Sequence, residues 1–198
     1  MREEELLGNW FHLSDIGIVE KLARASQIVQ IKKNNLLIES GETQTQLPIL
    51  ISGVFRGFLL DADGRDTTDC FVYQSGEIVM GCNPLGEASQ INMEAMVDSE
   101  VMLVLLSTLL PLMDSCPELL RLYNRYLTEA LERHWEEKIL MHRCSAMQRY
   151  QWFLKNYPGL IHTLSNKHIA SFLGMTPVTL SRLRRQLRKP EKVARAYP

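Results

Sequence analysis

Four arginines, Arg182, Arg184, Arg185 and Arg188, crowd the end of the stretch SNKHIASFLGMTPVTLSRLRRQLR, Ser165 to Arg188. A guanidinium is a planar fork of N–H donors that fits phosphate oxygens and the O6/N7 edge of guanine. Such groups act together only when one rigid element presents them on one face. A helix does this: Val178, Arg182 and Arg185, with Ser181 beside them, fall on one side, and Leu180, Leu183 and Leu187 form a second, apolar stripe. Thr176 is placed to be its N-cap, with Pro177 at the first helical position, where a missing N–H is harmless.

A shorter helix precedes it. Ser165 is its expected N-cap, the helix runs from about Asn166 to Leu173, and Ile169, Ala170 and Leu173 give it one apolar face. Ala170 is small where a second helix must cross closely, and Gly174 supplies the stop. Two short helices around a tight turn, the second one basic, are the pattern of a helix-turn-helix, whose second helix enters the DNA major groove. The competing reading is an ordinary helical hairpin with a solvated basic face.

Charge along the chain agrees with the first reading. From Arg143 to Pro198 there are eleven Lys/Arg and one acid, Glu191, a balance of +10. The rest holds 11 basic and 22 acidic residues, a balance of −11, so the whole-chain net charge of −1 conceals a basic C-terminal quarter. That quarter has the electrostatic footprint of a polyanion binder, and the remainder should repel DNA.

The other elements follow from periodicity. Residues 1 to about 25 read as helical, with Leu6, Leu7, Trp10, Phe11 and Leu13, then Ile18, Val19 and Leu22, as a packing arm. From Gln27 to about Leu106 the pattern is short strands: Ile28–Ile31, Leu36–Ile38, Leu47–Ile51, Val54–Leu60, Asp69–Tyr73, Ile78–Met80, Asn92–Val97 and Val101–Leu106. Turns such as Asp61-Ala62-Asp63-Gly64 and Ser75-Gly76-Glu77 separate several of them, which suggests an antiparallel barrel or jelly roll. After Thr108 the helical period returns. Pro117 can open a long helix running to about His142, in which Leu120, Tyr123, Leu127, Ala130, His134 and Met141 make a coiled-coil-like seam. A dimer helix is preferred there over one packed only on its own barrel. A further helix is expected over Arg143 to Tyr157, stopped by Pro158-Gly159.

Several functions are disfavoured. Hydrophobic content of 45% and charged content of 23% are those of a globular protein, and no apolar run reaches the roughly 18 residues of a membrane span. MREEELLGNW lacks the apolar core of a signal peptide, so a cytoplasmic location is expected. Cys70, Cys82, Cys116 and Cys144 are scattered with no C-x-x-C pair, and no metal or other cofactor is expected. His12, His134, His142, His162 and His168 all lie outside the strand region, which argues against cupin-type metal chemistry on the barrel. No nucleophile constellation or phosphate-binding Gly-rich loop appears, so a non-enzyme is expected. A ligand-binding barrel whose basic C-terminal domain binds RNA or another polyanion is the alternative, opposed for RNA by the lack of aromatics interleaved with the basic helix.

Barrel, long helix and basic helix-turn-helix together resemble the Crp/Fnr family of bacterial transcription regulators. The resemblance covers nearly the whole chain and is most specific at KHIASFLGMTPVTLSR, Lys167 to Arg182, and at GVFRGFLLDADGRDTTDCFVYQSGE, Gly53 to Glu77. It implies an α+β chain: an N-terminal antiparallel jelly roll like a cyclic-nucleotide-binding domain, with the helical arm, over residues 1–113; a dimerisation helix over 114–142; and a winged helix-turn-helix domain over 143–198. It implies a homodimer on double-stranded DNA, an unidentified small-molecule effector or none, RNA polymerase as a candidate partner, and no membrane. The family's recognition motif, Glu-x-x-Ser-Arg, aligns with Val178-Thr179-Leu180-Ser181-Arg182. Ser181 and Arg182 match. Val178 replaces the Glu and offers apolar contact, for instance with a thymine methyl, in place of an acceptor for cytosine N4. On this reading Arg182 donates to guanine, Arg185 to guanine or phosphate, Thr179 lies within the motif, and Thr176, Lys167 and His168 contact the backbone. The family's cyclic-nucleotide site uses an Arg-Ser/Thr-Ala string to neutralise phosphate. Here the stretch is Gly81 to Ile91, and no Arg or Lys occurs between Arg65 and Arg121, so tight binding of cyclic AMP or cyclic GMP is not expected.

Overall fold

The computed structural model describes residues 2–81 and 85–188. The chain divides into two compact units, residues 1–135 and 136–198.

The first unit opens with α1 (Arg2–Phe11) and α2 (Ile16–Arg24). Asp15 caps α2, its carboxylate accepting from the Gly17 and Ile18 N–H groups. Seven strands follow: β1 (Ser26–Ile31), β2 (Leu36–Ile38), β3 (Gln46–Ser52), β4 (Phe55–Leu60), β5 (Asp66–Val72), β6 (Asn92–Ala95) and β7 (Ser99–Leu105). Among the described residues they pair antiparallel in two sheets, ordered β1-β7-β3 and β2-β6-β4-β5. The expected strand over Ile78–Met80 is reduced to a single bridge, Ile49 to Ile78.

Side-chain alternation decides what each sheet covers. Leu50 of β3 and Val101 of β7 turn inward to Ile38, Phe55, Met93 and Ala95 of the other sheet, forming one core. Their neighbours Leu47, Ile49, Met102 and Val104 turn the other way, onto Leu7 of α1 and Leu22 of α2. The three-stranded sheet is thus buried on both faces, which is why β3 and β7 read as apolar runs without alternation. Pro48 is tolerated because its missing N–H lies on the side of β3 away from β7, where its carbonyl accepts from the Val79 N–H at 2.9 Å.

Gly53 joins β3 to β4 at φ +117, and a Cβ there would lie 2.1 Å from the Ser99 Oγ. Ser99 is itself committed: its hydroxyl donates to the Val97 carbonyl and accepts from the Val54 N–H. Gly53→Ala is therefore expected to destabilise the first unit by about 1–3 kcal/mol through overpacking alone, and more from the left-handed backbone. A denaturant midpoint unchanged from the parent would contradict this.

β7 runs directly into α3 (Leu106–Ser115), a separate helix with Pro111 inside it, and α4 (Pro117–Arg143) follows. Within the first unit α4 is held by the Tyr126 hydroxyl, which donates to the Ile78 carbonyl at 3.0 Å, and by Arg133, which pairs with Glu77 at 2.9 Å. Burial pushes the Tyr126 phenol well above its usual pKa, so it stays a donor. At the other end, Arg2 holds the Glu100 carboxyl below its usual pKa by hydrogen bonds of 3.0 and 2.6 Å.

In the second unit α5 (Ala146–Asn156), α6 (Leu160–Thr163), α7 (Asn166–Phe172) and α8 (Pro177–Arg188) follow the end of α4. The helix expected from Arg143 begins three residues later, because Ser145 and Gln148 form a capping box. Phe153, fully buried, stacks on Tyr157 and meets Phe172 edge-on. No strand occurs among the described residues of this unit. Wing strands after α8 would fall in 189–198, outside the described residues.

Candidate nucleic-acid interface

α7 and α8 form as their residues dictate. Ser165 caps α7, its hydroxyl accepting from the His168 N–H at 3.3 Å. Ile169, Ala170 and Leu173 are buried, and Gly174 takes φ +59 to end the helix. Thr176 caps α8: its hydroxyl accepts from the Thr179 N–H at 3.1 Å and lies 2.9 Å from the Thr179 hydroxyl. Leu180 is fully buried beneath the turn. The apolar stripe then fades, since Leu183 is half-buried and Leu187 is 43% exposed. α8 is buried against the unit in its first turns, and its residues 185–187 are exposed.

The opposite face of α8 holds Val178, 60% exposed, together with Ser181, Arg182 and Arg185, all exposed. These four expected positions do share one accessible helical face. Thr176 and Thr179 differ in role: their hydroxyls are engaged with each other at the cap. Lys167 is exposed at the start of α7, and His168 is half-buried with its backbone N–H in the cap. Of the other arginines, Arg184 donates to the Asn166 side chain and ties α8 to the start of α7. Its place is structural, and the cationic face is narrower than the sequence run suggests.

One residue escaped the sequence reading. Arg149, on the first turn of α5, donates from Nε to the Leu173 carbonyl at 2.8 Å and from Nη2 to the Gly174 carbonyl at 3.2 Å. Its Nη1 donates to the Cys144 carbonyl at 3.0 Å. No sequence signal marks it, because all its partners are backbone oxygens.

Along α4 the expected seam residues separate. Leu120 is 43% exposed, Leu127 and Ala130 are half-buried and His134 is exposed. Tyr123 packs on the core of its own unit. Leu131 and Trp135, not among the expected seam, are 57% and 53% exposed and extend the row of Leu120 and Leu127.

The stretch compared with the family's cyclic-nucleotide site, Gly81 to Ile91, carries one buried polar side chain among its described residues. Ser89 is buried: its hydroxyl donates to the Ile91 carbonyl at 2.6 Å, with the Gly81 carbonyl at 3.0 Å, and accepts from the Ile91 N–H. Arg56 of β4 is buried on the sheet face opposite Phe55 and Met93. There it pairs with Asp66 at 2.8 Å and Glu94 at 3.1 Å, over the Phe58 ring. Residues 82–84 lie outside the described residues.

No family model matches the chain, and no curated protein matches it. Solved structures do. FixK2 from Bradyrhizobium japonicum superposes with a TM-score of 0.75 at 23% identity, over 82% of this chain and 84% of that one. The c-di-GMP-responsive global regulator CLP from Xanthomonas campestris gives a TM-score of 0.70 at 16% identity, over 88% and 92%. The fold is that of the Crp/Fnr regulators. A Crp/Fnr-family transcriptional regulator from Eubacterium rectale agrees, with a TM-score of 0.70 at 14% identity over 93% of this chain and 88% of that one. The Crp/Fnr fold accounts for the order of parts seen here: helical arm, antiparallel roll, long α4, then α5 to α8. Among the described residues no helix is long and apolar enough to cross a membrane, and no group of three or more metal-ligating side chains occurs.

Proposed function

We propose that this chain is a sequence-specific DNA-binding transcription regulator that acts as a homodimer through α4. The observation that carries this reading is the exposed face of α8, where Val178, Ser181, Arg182 and Arg185 stand above a buried Leu180. In a major groove, Arg182 donates to guanine O6/N7 and Val178 meets a thymine methyl. Arg185 contacts guanine or phosphate, and Lys167 and the α7 cap region lie at the backbone, positioning without specifying. The hydroxyls of Thr176 and Thr179 preorganise the start of α8.

Selection of bound sequences from a random duplex DNA pool tests this, with the full chain and no added ligand. A two-fold consensus with half-sites about one helical turn, ~34 Å, apart is the expected result. Enrichment without any consensus would sink it. Arg182→Ala is expected to lose about 1–3 kcal/mol at one base position and relax preference there. An equal loss on every sequence would make Arg182 a phosphate contact instead.

The roll is read as unresponsive to cyclic nucleotides. Ser89 satisfies itself on backbone carbonyls, and the buried Arg56 is already paired with two carboxylates on the face away from the core. An isolated phosphate monoanion would be buried without its cation. Calorimetry with cyclic AMP and cyclic GMP is expected to show no binding in the micromolar range, and a micromolar dissociation constant would overturn this.

A further inference from the structure

We propose that Arg149 is a positioning residue that fixes the attitude of the recognition helix to the end of α4, and thereby the separation of the two half-sites. This rests on α8 reading DNA in a dimer seamed along α4. The carbonyls of Leu173 and Gly174 belong to the C-terminal end of α7, where helix oxygens lack intrahelical partners. The carbonyl of Cys144 ends α4, whose own ladder closes with the Cys144 N–H donating to Leu140 at 3.0 Å. One guanidinium spans both ends: Nε and Nη2 serve the turn between α7 and α8, and Nη1 serves α4.

Two further contacts fall on the same joint. A Cβ on Gly174 would lie 3.5 Å from the Met141 Sδ, so the turn sits against the last turn of α4. The Tyr157 hydroxyl donates to Glu137 Oε1 at 2.8 Å, tying the end of α5 to α4 one turn earlier. The turn cannot rotate against the end of α4 without breaking charge-assisted hydrogen bonds, which are stronger than neutral ones. An Arg is needed because a lysine ammonium is a compact point charge and lacks the planar reach to serve both ends. Within the second unit the direction of α8 is therefore tied to the last turns of α4, and in a two-fold dimer the direction of the recognition helix sets the half-site spacing.

The test uses full-length Arg149→Lys and Arg149→Gln beside the parent. Each is offered a DNA pool with the consensus half-sites held constant and the spacer varied one base pair at a time. The parent is expected to favour one spacer. Arg149→Gln is expected to lose about tenfold of that discrimination while keeping the same half-site bases, with Arg149→Lys between the two. A variant that binds every spacer more weakly, in unchanged proportion, would show a merely structural role and overturn the proposal. If the parent yields no two-fold consensus, DNA reading itself has failed, and hydrogen exchange still reports on the joint. Arg149→Gln should then speed amide exchange over 140–145 and 173–176 together. Faster exchange confined to one of these segments would refute the coupling.

Discussion

Phe153→Ala is expected to unfold the second unit at temperatures where the first remains folded. Phe153 is fully buried and central to a cluster with Tyr157, at a 5.2 Å ring separation, and Phe172, at 6.0 Å. Trp152 stacks on Phe172 at 6.5 Å at the edge of the same cluster. Removing the ring forfeits its transfer free energy and leaves a cavity that the neighbouring rings cannot fill without leaving their rotamers. Core Phe→Ala changes cost about 3–5 kcal/mol, and a unit this small has little more than that to lose. Thermal unfolding followed by near-ultraviolet circular dichroism should resolve an early transition that the parent lacks. The proposed DNA binding should vanish with it, since α7 packs on this cluster through Phe172. A single transition at the parent's midpoint would mean that the cluster does not hold the unit together.

The second large effect is expected from the double substitution Leu127→Glu, Leu131→Glu. Leu131 is 57% exposed, and with Leu120 and Trp135 it forms an exposed apolar row along α4. In the proposed homodimer such a row, at heptad-like spacing, would be buried against a second copy of the same helix. Two carboxylates facing their symmetry mates would oppose that association directly. Sedimentation should show a monomer for the variant and a dimer for the parent, as the proposed seam requires. Affinity for a full two-fold site should fall by about 10²–10⁴, the gain that linking two binding modules supplies. Affinity for a single half-site should be unchanged. A parent that sediments as a monomer, or a variant that remains a dimer, would refute the α4 seam.

Legibility differed from element to element. The caps of α7 and α8 were readable because each is a local matter: Ser165 bonds a backbone N–H three residues on, and so does Thr176. α3 was not readable. The run from Val101 to Met113 is apolar almost throughout, and periodicity cannot divide a two-face-buried strand from the helix that follows it. On α4 the expected seam and the exposed row share Leu120 and Leu127, while Tyr123, which has the spacing of a seam residue, packs on the core of its own unit.

Taken by itself, the sequence determined the order of parts, the basic character of the last quarter and the identity of the face Val178, Ser181, Arg182 and Arg185. Those properties arise from neighbours three or four residues apart, from net charge, and from turn residues such as Gly174. Only the tertiary structure decided which cations are available. Arg184 is tied to Asn166, Arg56 is sealed between Asp66 and Glu94, and Arg149 is spent on carbonyls of Cys144, Leu173 and Gly174. A side chain's charge is written in its type, but its partners come from distant segments that packing brings within hydrogen-bonding reach.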